Sequence, residues 1–161
     1  MAIYSLSLAS TVGTSAAPSW DCKAAANSNP RVMELGISNG AATAMTYLIG
    51  RSGNTATQTS PVLLQAEGLE AAALTGCAVA WSVAPTIPTQ SLRRYYGPAT
   101  IGAGIYYTFP RGISLAAAGA SLVNWNGAAS SAVFAVHVVA GQGRDVRHPC
   151  RTSIRRSRRL I

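Results

Sequence analysis

Apolar residues recur at alternate positions through most of this chain, and clusters of Gly, Pro, Asn and Ser interrupt them roughly every 10 to 15 residues. A period of two puts successive side chains on opposite faces of an extended backbone, so the pattern dictates strands. Tyr4, Leu6 and Leu8 share one face of a first strand. After the turn signal Asn27-Ser28-Asn29-Pro30, Met33, Leu35 and Ile37 alternate with Val32, Glu34 and Gly36. Asn39-Gly40 then reads as a hairpin turn into a strand on which Met45, Tyr47 and Ile49 face one way. Residues 50–60 are polar and read as a surface loop. Cys77, Val79, Trp81 and Val83 form one face of a core strand, and Pro85 and Pro88 end it. Leu92–Tyr96 and Ile105–Phe109 follow as aromatic-rich segments, and Pro110-Arg111-Gly112 reads as a further turn. Val123 and Trp125 alternate with Leu122 and Asn124, and both flanks of Val133–Val139 read as buried.

The one credible helix spans residues 66–74, and Gly68 weakens it. Eight or nine strands without alternating helices predict an all-β, antiparallel β-sandwich. Jelly-roll topology is favoured over an immunoglobulin-like one, whose Cys, Trp and Cys order is absent. Apolar alternation stops at Gly141-Gln142-Gly143. Residues 1–140 therefore read as one β-sandwich domain and 141–161 as a flexible, basic C-terminal extension.

Charge sharpens that division. The net charge is +8, yet residues 1–140 hold six basic groups against four acids, a net of +2. The tail holds Arg144, Arg147, Arg151, Arg155, Arg156, Arg158 and Arg159 against Asp145, a net of +6. Charged residues make up only 11% of the chain, and the mean hydropathy is +0.21. A body so poor in charge is expected to have much of its exterior covered by partners.

Catalysis has little to draw on. Two His and five acids are present; His137 lies among valines, His148 lies in the tail, and Glu67 and Glu70 have no group to split their pKa values. Neither phosphate-cradling glycine motifs nor a nucleophile elbow occurs. The expectation is a non-enzyme with no catalytic residue, no metal and no cofactor. Cys22, Cys77 and Cys150 are odd in number and widely spaced. They indicate neither a zinc site nor a disulfide framework, so Cys22 and Cys77 are expected as packed thiols in a reducing compartment. The N-terminal region reads as a strand rather than a signal peptide, and no apolar run is long enough to span a membrane.

The most pointed residues of the body are Arg93, Arg94, Tyr95 and Tyr96, with Arg111 beyond them. Adjacent Arg and Tyr anchor subunit contacts when desolvated. They also suit nucleic-acid or glycan binding, or simply solvate strand ends. The arginine tail is open to three readings: an arm that contacts nucleic acid, an arm that orders on an acidic neighbour, or an appendage without a role.

The segments Arg31-Val32-Met33-Glu34-Leu35-Gly36-Ile37, Thr59-Ser60-Pro61, Trp81-Ser82-Val83-Ala84-Pro85, Ala99-Thr100-Ile101-Gly102 and Thr108-Phe109-Pro110-Arg111-Gly112-Ile113 together resemble small structural proteins of tailed bacteriophage virions. The resemblance covers roughly residues 1 to 140, and the arginine tail departs from it. It implies a virion component made in the host cytoplasm, such as a capsid decoration protein or a neck or tail subunit. Its partners would be other virion proteins and its own copies, with a trimer favoured.

Overall fold

A computed structural model describes residues 2–26, 28–69, 75–115, 120–128 and 133–142. Thirteen strands follow in order: β1 (Ala2–Ala9), β2 (Pro18–Ala24), β3 (Arg31–Asn39), β4 (Met45–Thr55), β5 (Thr57–Gln58), β6 (Val62–Leu63), β7 (Gln65–Ala66), β8 (Thr75–Ala78), β9 (Trp81–Val83), β10 (Arg93–Gly97), β11 (Gly104–Ser114), β12 (Ala120–Asn126) and β13 (Phe134–Gln142). No helix occurs among the described residues. A five-stranded sheet runs β11-β3-β13-β1-β7, a six-stranded sheet runs β10-β4-β12-β2-β8-β6, and β5 and β9 form a separate two-stranded ribbon. Early strands lie beside late ones: β1 pairs β13, β2 pairs β12, β3 pairs β11 and β4 pairs β10, all antiparallel.

The two larger sheets face each other across one core, as the alternation requires. Tyr4, Leu6, Leu35, Ile37, Phe134, Val136 and Val138 enter it from the five-stranded sheet. Trp20, Cys22, Met45, Tyr47, Ile49 and Leu122 enter it from the other. Tyr47 and Phe134 meet at the centre with ring centroids 4.2 Å apart in a tilted arrangement. Arg51 spans the layers at one end, its Nη2 donating to the Ser114 carbonyl.

Several sequence expectations change against this frame. In β3 it is Val32, not Met33, that is buried, because the register with β13 slips between Val139 and Ala140 and inverts the alternation there. Pro110-Arg111-Gly112 is no turn between elements. It lies inside β11, where the register against β3 shifts between Thr108 and Ile113. Gly112 sits there at φ 63°, and a Cβ on it would stand 2.6 Å from the Arg31 Cβ. Asn39-Gly40 joins two sheets rather than two hairpin strands. The Asn39 amide holds this crossover by donating to the carbonyls of Thr43 and Pro98, at 2.9 and 3.2 Å.

Residues 50–60 are not a loop either, since β4 runs on to Thr55 and β5 follows. Polar side chains are accommodated because the segment 84–86 bonds them. The Asn54 amide donates to the Ala84 carbonyl, and the Thr86 hydroxyl accepts from the Gly53 amide. The expected strand through Cys77 and Val83 breaks after Ala78. β8 stays in the six-stranded sheet, whereas β9 pairs with β5 and leaves Val83 exposed. Only one flank of β13 is fully buried; Ala135 is exposed, and His137 and Val139 are half-buried. Its last residues, Gly141 and Gln142, pair with Ile3 and Ala2, so the strand uses two residues of the expected extension. In the expected helix, Ala66 belongs to β7 and 67–69 are bends, while 70–74 lie outside the described residues.

The cysteine expectation is overturned. β2 and β8 put Cys22 directly opposite Cys77 with Cα atoms 4.1 Å apart, and the two are joined in a disulfide. Both are buried as expected, but their pairing across adjacent strands was invisible at a separation of 55 residues. The expectation of a reducing compartment thereby loses its basis. Cys150 lies outside the described residues.

The central ring contact sets the scale of core stability. Phe134→Ala is expected to lower the free energy of unfolding in urea by about 3–5 kcal/mol. Val139→Ala, on the half-buried flank of the same strand, is expected to cost less than about 1 kcal/mol.

Candidate functional site

On one side of the sandwich both sheets end in strands with a free outer edge among the described residues, β10 in one sheet and β11 in the other. The expected Arg93–Tyr96 cluster lies on β10, and strand alternation divides it. Arg93 and Tyr95 stand opposite the core residues Ile49 and Tyr47, whereas Arg94 and Tyr96 stand opposite Leu48 and Thr46. The Arg93 guanidinium lies 5.4 Å from the centroid of the Phe109 ring on β11. Tyr95 stacks on Tyr47 at 6.3 Å. This pair lies against the buried rings of Phe109 and Tyr47, with Tyr95 half-buried and Arg93 exposed. Burial raises the phenol of Tyr107 on β11, and the neighbouring Arg93 charge opposes that shift.

Arg94 and Tyr96 form the outward unit. The Arg94 Nη1 donates to the Tyr96 Oη at 3.1 Å, its guanidinium lies 5.9 Å from the same ring, and Tyr96 is 69% exposed. Arg111 is exposed on β11, and its carbonyl accepts from the Arg31 Nη1 at 2.7 Å. The five residues singled out in the sequence thus share one edge of the molecule, and all of them except the half-buried Tyr95 are exposed. The tail arginines Arg144, Arg147, Arg151, Arg155, Arg156, Arg158 and Arg159 lie outside the described residues, as does His148.

His137 accepts from, or donates to, the Ser7 hydroxyl through Nδ1 at 3.0 Å, and the groove it lines contains no carboxylate among the described residues. Among the described residues there is also no cluster of three His, Cys, Asp or Glu capable of holding a metal, and no helix long and apolar enough to cross a membrane.

One buried acid escaped the sequence reading. Asp21 has no exposed surface, and its Oδ1 accepts from the Trp81 Nε1 at 2.6 Å and the Gln58 Nε2 at 3.0 Å. Those donors lie on β9 and β5, so Asp21 ties the two-stranded ribbon to the outside of the six-stranded sheet. Beside it Leu48, Val123 and Trp125 make a second small apolar cluster under Ile87. An acid flanked by the large or apolar residues Trp20 and Cys22 in a strand was the signal available. Desolvation raises its pKa above the ordinary 3.8, only partly offset by its hydrogen bonds and by Lys23.

No family model, curated protein or solved structure matches the chain.

The raised Asp21 pKa has a definite sign for stability. The folded carboxyl ionises at higher pH than the unfolded one, so the folded state binds more protons between the two values. Stability from this group falls as pH rises through that window. Asp21→Asn keeps an Oδ1 acceptor for Trp81 and Gln58 while removing the charge. It is expected to raise the melting temperature at neutral pH and flatten the pH profile of thermal unfolding above the ordinary carboxyl range. Asp21→Ala, which abandons both donors, is expected to lose about 1–3 kcal/mol.

Proposed function

We propose that this protein is a non-enzymatic structural subunit of a tailed-phage virion, of the capsid decoration or cement type, which binds the capsid and neighbouring copies of itself. The observation that carries the reading is the double edge: β10 and β11 offer unpaired strand edges side by side, set with exposed Arg94, Tyr96 and Arg111. Free edges recruit further strands unless they are blunted by charge, bulges or partners. The bulge and Pro110 of β11 interrupt its edge, but Gly104–Thr108 and all of β10 remain regular. Arg and Tyr are the side chains that anchor desolvated contacts, and the charge-poor body accords with a surface that is covered in use.

Jelly-roll topology is part of this proposal. It rests on the nested pairing of β1 with β13, β2 with β12, β3 with β11 and β4 with β10, distributed alternately between the two sheets. Such a sandwich gives rigid edges and loops on which assembly contacts can be built. The phage assignment itself rests on the sequence resemblance, and a trimer is the assembly we favour. A neck or tail position would use the same edges. The arginine-rich tail supports a second role, contact with packaged nucleic acid by counterion release.

Light scattering on the full chain and on a form lacking residues 143–161 tests assembly. A discrete trimer or larger ring is expected in both, and the double variant Arg94→Ala, Tyr96→Ala is expected to shift the mass toward monomer with an unchanged melting temperature. Arg93→Ala is expected to lower the melting temperature instead. A monomer at all concentrations, alone and with assembled capsids, would contradict the proposal.

A further inference from the structure

The outer face of the five-stranded sheet carries a groove of ≈ 590 Å³, separate from the outward Arg94 and Tyr96. Its size lies within the range of small-molecule sites, roughly 300–1,000 Å³. Side chains on its floor are small, with Gly36 and Ser38 from β3 and Ala135 from β13. Tyr106 rises from β11 beside them and is 73% exposed. The ring lies over Gly36, where an added Cβ would meet three of its carbons at 2.3 to 2.9 Å. Glycine at 36 is what allows the ring to lie against the strand and keep its other face free. Across the groove, His137 pairs through Nδ1 with Ser7, which leaves Nε2 as a second polar point. The Tyr106 and His137 ring centroids are 6.4 Å apart at 58°.

These features are complementary to one chemistry. An exposed aromatic face attracts an apolar face of C–H groups, while the hydroxyls of Ser7, Ser38 and Tyr106 and the His137 imidazole exchange hydrogen bonds with a ring of alcohols. No Asp, Glu, Lys or Arg lines the groove among the described residues, so nothing there recompenses the desolvation of an ionic ligand. An amphipathic, uncharged ring with hydroxyls at its rim is a neutral sugar. We propose that this groove is a binding site for a neutral saccharide, with Tyr106 as the stacking platform and the Ser7–His137 pair as the polar clamp. The site requires no assembly partner; Gly104 and Tyr106 belong to the β11 edge strand, but Arg94, Tyr96 and Arg111 do not line the groove.

Titration of the full chain, by calorimetry and by a printed glycan panel, tests it. The probes are neutral oligosaccharides of glucose, galactose and N-acetylhexosamine, with sialylated and sulfated forms alongside. Binding to at least one neutral probe is expected, weakened about tenfold or more by Tyr106→Ala and by His137→Ala, and unaffected by Arg94→Ala. Tyr106 is a surface residue, so unchanged melting of Tyr106→Ala keeps the comparison clean. Absence of binding to every neutral probe, preference for the anionic forms, or undiminished binding by Tyr106→Ala would overturn the proposal. So would a Tyr106→Ala variant that binds no worse but loses its oligomeric mass, which would place the groove in a contact between copies.

Discussion

Neither half of this chain can finish a sheet alone. β1 finds its main partner in β13, β2 in β12, and β3 pairs with both β11 and β13, so the main ladders of these early strands come from the second half of the sequence. Backbone amides and carbonyls buried in the sandwich need those partners, and the core needs both sheets at once. Tyr47 from one sheet meets Phe134 from the other only after the chain has returned on itself. Loop closure over such separations makes folding slow relative to a helical domain of equal size and couples the stability of all the long strands.

That nesting also decides where the free edges fall. The crossover from β10 in one sheet to β11 in the other leaves both as terminal strands on the same side of the sandwich. Opposite them, β6 and β7 carry the chain from the edge of one sheet to the edge of the other. Alternation then sorts the side chains: Arg93 and Tyr95 lie against Phe109 and Tyr47, with Arg93 still exposed, while Arg94 and Tyr96 face outward and contact each other. A motif of four neighbouring residues is, in three dimensions, two pairs with different work. The buried Asp21 similarly serves architecture, anchoring a two-stranded ribbon over the outer face of the six-stranded sheet.

What the sequence made legible was local. The faces of β1 and β4 followed from alternation, as did the separation of Leu122 from Val123 and Trp125 on β12, because neighbouring residues of a strand point to opposite faces. The errors arose where distant partners override local signals. A bulge inverted the β3 face at Val32, and polar residues 51–55 became strand because β12 and the 84–86 segment supply their hydrogen bonds. Asn39-Gly40 carried a sound turn signal that could not reveal whether the next strand joins the same sheet. The Cys22–Cys77 pairing depended on strand register, which spacing does not encode. The candidate edge was legible as residue types but not as geometry. The Tyr106 groove was not legible at all, since it requires Gly36, Ser7 and His137 from three other strands.

Amide hydrogen exchange of the full chain, followed from dilute to assembled conditions, tests most directly whether this sandwich acts through its paired free edges. Protection should deepen with assembly in residues 93–97 and 104–108, where outward-facing backbone groups acquire partners, and change little in β1 and β13. Edge amides that exchange equally fast in the assembled and dispersed protein would contradict the account.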